Sequence, residues 1–216
     1  MDHVIAQLRE QVLDAARQQH TILIEGGGTK SFYGNHALNS ADKVALNTSD
    51  KAALHASDGR VPHMTSNSVA LKLNSLRGII NYQPTELVVT AWAGTPLQEV
   101  VDTLAASSQM LAFDPPSFGA QATLGGCVAA GLAGPGRYSG GPVKDYVLGT
   151  HLLTASGSIL KFGGEVMKNV AGYDVSRLLV GSLGMFGPLT QVSVKVAPLP
   201  QEICTLEFAL DEASAL

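Results

Sequence analysis

The sequence predicts an α+β fold, and three observations carry that prediction. Residues 4–18 repeat their apolar positions at helical spacing. Several later segments, among them 69–73 and 190–196, instead alternate apolar and polar residues as half-buried strands do. The third is a central stretch from Asp114 to Gly149, DPPSFGAQATLGGCVAAGLAGPGRYSGGPVKDYVLG, whose glycines and prolines leave it neither a regular helix nor a regular strand. Set among Ala, Val and Leu, such a side-chain-poor backbone is expected to be buried and closely approached by a ligand. Buried main chain needs hydrogen-bond partners, and a bound anion or heterocycle can supply them. A large, flat, phosphate-bearing cofactor fits that expectation.

Bulk composition narrows the function classes. The chain has 216 residues, 45% hydrophobic and 15% charged, which suits a compact globule with a real core. Its net charge of −4, with Lys and Arg nowhere clustered, argues against nucleic acid. No run of about 18 apolar residues exists to span a membrane, and MDHVIAQLREQ lacks a signal-peptide core, so a cytoplasmic location is expected. Cys127 and Cys204 have neither metal-ligand nor disulfide spacing; both read as small buried apolar residues, and no metal is expected.

Taken in order, Val4 to Gln18 is an amphipathic helix with Val4, Ile5, Leu8, Val12, Ala15 and Ala16 on one side. Thr21 to Ile24 is a short strand that stops at Gly26, Gly27 and Gly28, followed by Thr29, Lys30 and Ser31. Successive unhindered amides can point at one anion, so this turn is a candidate phosphate cradle, although it is neither a Walker loop nor a spaced G-x-G-x-x-G. Residues 39–67 read as a loop or insertion, with His36, His55 and His63 in or near it as solvated side chains. Strands follow at 69–73, 77–82 and 87–91, with a QPTE turn at 83–86. Thr95 is expected to cap a helix that has Pro96 at its first position, Gln98 at capping-box spacing and an end near Ser107.

Beyond the central stretch, Ala155-Ser156-Gly157 joins two strands, 147–154 and 158–162, as a hairpin. A short helix at 173–180 ends at Gly181, and a strand at 190–196 is stopped by Pro198 and Pro200. His151 reads as a packed core residue, and residues 204–210 as the start of another strand.

Four blocks in this order carry a family resemblance: GGGTKS at 26–31, PPSFGAQATLGG at 115–126, GPGRYSGGPVKDYVLG at 134–149, and KNVAGYD with GSLGMFGPLT at 168–190. Together they resemble the flavin-binding domain of the vanillyl-alcohol oxidase and para-cresol methylhydroxylase (PCMH-type) superfamily. Within it, FGGEVMKNVAGYDVSRLLVGSLGMFG looks like the FAD-binding subunit of glycolate oxidases more than like the D-lactate dehydrogenases. The resemblance implies two α+β subdomains, at 1–83 and 84–200, with 201–216 opening a following segment; members of the family usually continue into a cap domain over the substrate, and here the cap is expected to be absent. It implies FAD bound without a covalent link, because Lys30 stands where covalent relatives often carry His.

Carried over residue by residue, the resemblance implies that Gly26, Gly27, Gly28, Thr29 and Lys30 hold the pyrophosphate. Gly119, Ala122, Thr123, Gly125 and Gly126 lie along the pyrophosphate and the isoalloxazine. Arg137, Ser139, Gly140, Asp145 and Val147 line the ribityl and flavin edge, and Gly187, Pro188 and Leu189 the adenine side. The implied activity is an FAD-dependent oxidoreductase acting on a 2-hydroxy acid such as glycolate, with a non-catalytic flavin-holding or assembly subunit, or a D-lactate dehydrogenase-like flavoprotein fragment, as the alternatives. The implied partners are a second flavoprotein subunit and an iron–sulfur subunit, through which the chain would sit at the inner face of the cell membrane. Glu25, just before the glycines, is an acid near two phosphates and is expected to weaken binding unless it turns away or meets a cation. No catalytic base is assigned.

Overall fold

A computed structural model describes residues 1–30, 33, 68–165, 172–209 and 211. The 39–67 insertion, His36, His55, His63, Ser31, Lys168 and Asn169 lie outside the described residues.

Helix α1 spans Asp2–Arg17 and buries Leu8, Val12 and Ala15, the stripe its period predicts. Strand β1 (Thr21–Glu25) follows and pairs in parallel with β2 (Ser68–Lys72), in a register that sets Glu25 beside Lys72.

The larger element is a five-stranded antiparallel sheet in the order β3-β4-β8-β6-β7: β3 (Ile79–Gln83), β4 (Val88–Trp92), β8 (Leu189–Lys195), β6 (Val147–Leu153) and β7 (Ile159–Gly163). The expected hairpin is the β6–β7 pair. Helices α2 (Leu97–Ala105) and α3 (Leu124–Ala130) cover one face, where Val89, Ala91, Val100, Leu104, Leu124, Val128, Val192 and Val194 form the main core. A second cluster joins α1 and β2 to the sheet through Leu8, Val12, Leu71, Leu73, Leu76 and Leu153. Burial of these side chains at about 25 cal/mol per Å² of apolar surface is the main term that docks α1, β1 and β2 on the sheet.

Several expectations need correction. The 114–149 stretch is partly regular, for it contains α3, the single turn α4 (Arg137–Gly140) and a 3-10 turn at Val143–Asp145. Thr95 does not cap α2. Its hydroxyl donates to the carbonyls of Trp92 and Gly78 and accepts from the Gly78 amide, and Pro96 takes the cap position. Gln98 bonds Asp102 one turn on instead of closing a capping box. The strand expected at 190–196 does stop before Pro198, at Lys195, but a separate strand β9 (Ala197–Pro198) follows and pairs with β5 (Gln109–Met110), a two-residue strand too short for periodicity to reveal. Residues 202–209 form no strand and leave Ile203, Leu206 and Phe208 exposed. Cys127 is buried as expected, whereas Cys204 is exposed. His151 is only half-buried, and burial first, then the nearby Lys161 charge, pushes its pKa down. The 173–180 helix shrinks to α5 (Val175–Leu178), capped by Asp174, whose carboxylate accepts from the Arg177 amide.

Candidate functional site: two glycine-rich segments in contact

The turn after β1 and the segment before α3 meet directly. A Cβ at Gly26 would lie 2.7 Å from the Thr123 hydroxyl, and one at Gly27 would collide with the Gln121 carbonyl. A Cβ at Gly119 would lie 3.4 Å from the Thr29 methyl. Glycine at 26 and 27 is therefore what allows residues 26–30 to lie against residues 119–123. Gly28 adopts φ +70 with open space at its Cβ position, so its requirement is conformational.

The hydrogen-bond accounting separates the two segments. At the start of α3 every amide has a partner: Leu124 donates to the Thr95 carbonyl, Gly125 to Ala93, Gly126 to the Thr123 hydroxyl that caps the helix, and Cys127 to the Thr123 carbonyl. The amides of Gly26, Gly27, Gly28, Thr29 and Lys30 have no acceptor among the described residues. Such a row of consecutive free donors is the arrangement that holds an anion. Gly125 meets a different demand, since a Cβ there would lie 2.5 Å from the Ala93 side chain. At Gly126 a Cβ would meet only the Thr123 hydroxyl, at 2.9 Å.

Lys30 reaches across the junction. Its Nζ lies 5.8 Å from the centroid of the Phe118 ring, and its pKa is lowered by burial, with the facing Cys127 opposing that shift. Burial pushes the Cys127 thiol up to about 11, against the effect of Lys30, so the thiol stays protonated at neutral pH. No group of three or more His, Cys, Asp or Glu among the described residues could hold a metal ion.

The remaining candidate residues fall into two further groups. Arg137, Ser139 and Asp145 are exposed, and Gly140 sits in a loop shaped by Asp114 and Tyr146. The Asp114 carbonyl accepts from the Gly134 amide at 2.6 Å, its carboxylate accepts from the Gly136 amide at 3.0 Å, and the Tyr146 hydroxyl donates to the Gly140 carbonyl. Sequence reasoning passed over Asp114 and Tyr146; an Asp before two prolines was a visible turn signal, but its partner 20 residues on was not. Gly187 turns at φ +131 against the Leu153 carbonyl, while Pro188 and Leu189 are buried. The side chains of Ala122, Val147 and Leu189 are in the main core, so those positions can offer a ligand only main chain. The Gly184 turn touches β1, for a Cβ there would lie 2.8 Å from Ile24.

Comparisons with known proteins give the family. Residues 52–163 match the family model described as FAD binding domain. The chain is 43% identical over 208 residues, 95% of its length, to glycolate oxidase subunit GlcE of Escherichia coli, of which it covers 51%. It is 30% identical over 142 residues to glycolate oxidase subunit GlcD of Bacillus subtilis, covering 66% of this chain and 30% of that protein. It is also 30% identical over 138 residues to a D-lactate dehydrogenase of Anaerostipes hadrus, covering 64% and 29%. The chain thus spans about half or less of the curated relatives it matches. Among solved structures, alkyldihydroxyacetonephosphate synthase superposes with a TM-score of 0.62 at 20% identity, over 90% of this chain and 30% of that one, which shows a shared fold. With the family model covering more than half of its residues, the chain belongs to the FAD binding domain family.

Proposed function

We propose that this chain is the FAD-binding part of a 2-hydroxy-acid oxidoreductase of the glycolate oxidase type, working within a complex. The observation that carries the cofactor assignment is the row of five amides at 26–30 without an acceptor among the described residues, pressed against 119–123 in a chain of the FAD binding domain family. Those amides would hold the pyrophosphate, with the Lys30 ammonium adding charge. Gly119 and Gly126 would let the flat ring system approach main chain, and Arg137, Ser139, Gly140 and Asp145 would border its edge. FAD would supply the two-electron chemistry at its ring, and the protein would position that ring.

The likeness to GlcE over nearly the whole chain supports glycolate or a near relative as substrate, and the likeness to GlcD supports a second flavoprotein subunit as partner. An iron–sulfur subunit would carry electrons onward, since the two cysteines of this chain cannot supply the four ligands a cluster takes. No helix among the described residues is long and apolar enough to cross a membrane, so attachment to one would come through partners. We place the boundary between the two expected subdomains just before β3 (Ile79–Gln83) and not after it at residue 83, because β3 pairs with β4 of the large sheet.

The experiment is to purify the chain, add FAD, and then add glycolate or lactate without oxygen, with and without the partner subunits. Flavin bound and bleached by glycolate supports the full reading. Flavin bound but never bleached, even with partners present, supports the flavin-holding alternative.

A further inference from the structure

Resting on the flavin reading above, we propose that Lys30 and Phe118 form a latch across the mouth of the site, released by an anionic ligand and not by a neutral one. Four observations converge on it. Lys30 and Phe118 belong to the two different glycine-rich segments, and the ammonium approaches the ring face at 5.8 Å, within cation–π range. Lys30 is half-buried, and no carboxylate pairs with it among the described residues. Phe118 is 53% exposed, yet it holds φ +50, a backbone region that is costly for a bulky residue. The free amides of residues 26–30 lie on the same loop as the Lys30 stem.

These features make the closed arrangement easy to displace. A cation over an aromatic face is held by a weak, short-range attraction, whereas a phosphate offers the same ammonium a full opposite charge. A ligand bearing phosphates can therefore draw Lys30 off the ring as it settles on the amides. Riboflavin, which has the ring system without the phosphates, gives Lys30 nothing to move toward. The latch thus slows entry for every ligand and favours those that carry negative charge.

Two measurements test it, and the first needs no cofactor. In the protein alone, acetylation of Lys30 by an N-hydroxysuccinimide ester is followed by mass spectrometry in wild type and Phe118→Ala. The latch predicts labelling about fivefold faster in the variant, as removal of a gating contact raises access to the group behind it. In the second, rapid mixing with FAD follows flavin fluorescence. Phe118→Ala should raise association and dissociation together by about fivefold and leave Kd within about threefold, whereas Lys30→Met should lower the preference for FAD over riboflavin to the part that the amides alone supply. Thermal melts of both variants confirm that they fold. Equal labelling rates, or an association rate unmoved by Phe118→Ala, overturn the latch. Faster labelling in a protein that binds no flavin at all leaves the latch standing and removes the flavin reading instead.

Discussion

The main chain of Gly27 lies directly against the main chain of Gln121, so closely that even a methyl group at residue 27 would collide with the Gln121 carbonyl. This contact joins the turn after β1 to the segment before α3, and with it the small parallel pair to the large sheet. The row of free amides at 26–30 is displayed at that junction. A substitution there should therefore damage ligand binding and docking of the two glycine-rich segments together.

Gly27→Ala is expected to destabilise the fold by about 1–3 kcal/mol, the usual range for overpacking, and to remove flavin binding. Chemical denaturation and flavin titration of the same preparation measure the two effects side by side.

Gly126→Val separates them. Among the described residues a Cβ at 126 meets the Thr123 hydroxyl, a side-chain atom at 2.9 Å that can shift, so the apo fold should lose less stability than in Gly27→Ala, while flavin retention should fall sharply. A variant that keeps its flavin would show that Gly126 does not face the cofactor.

Thr123→Ala removes the hydroxyl that caps α3 through the Gly126 amide. A loss of about 1 kcal/mol is expected from a missing N-cap, read as a lower midpoint in urea, with flavin affinity reduced less than in Gly126→Val.

The pH dependence of ligand binding follows from Lys30. Burial lowers its pKa in the empty site, so its charge is fully present below the lowered value and is lost as pH rises through it. Bound phosphates would favour the ammonium and raise that pKa. Proton uptake on binding should therefore appear on the alkaline side, and FAD affinity should fall with rising pH there; the slope should vanish in Lys30→Met. Calorimetry in buffers of different ionisation enthalpy measures the uptake.

Much of this architecture was legible in the sequence. The stripe Leu8, Val12, Ala15 gave α1, the alternation at 190–196 gave β8, and Ala155-Ser156-Gly157 gave the β6–β7 hairpin. What stayed hidden depends on distant partners. The Thr95 hydroxyl is drawn to Gly78 by tertiary packing and leaves the cap that local sequence offers it. Pro198 finds Gln109 across 89 positions. The candidate site shows the same division: glycines at 26–28 marked a cradle, but only the fold shows that the amides opening α3 are already taken, while the five at 26–30 have no acceptor among the described residues.

The central claim is that this loop and its neighbours hold FAD. Its most direct test is a thermal melt of the purified chain with FAD added at about 100 times its dissociation constant, where specific binding to the folded state contributes about 2.7 kcal/mol. A rise in Tm with wild type that disappears with Gly126→Val is the predicted result. An unchanged Tm in wild type, with no flavin retained after gel filtration, would contradict the claim.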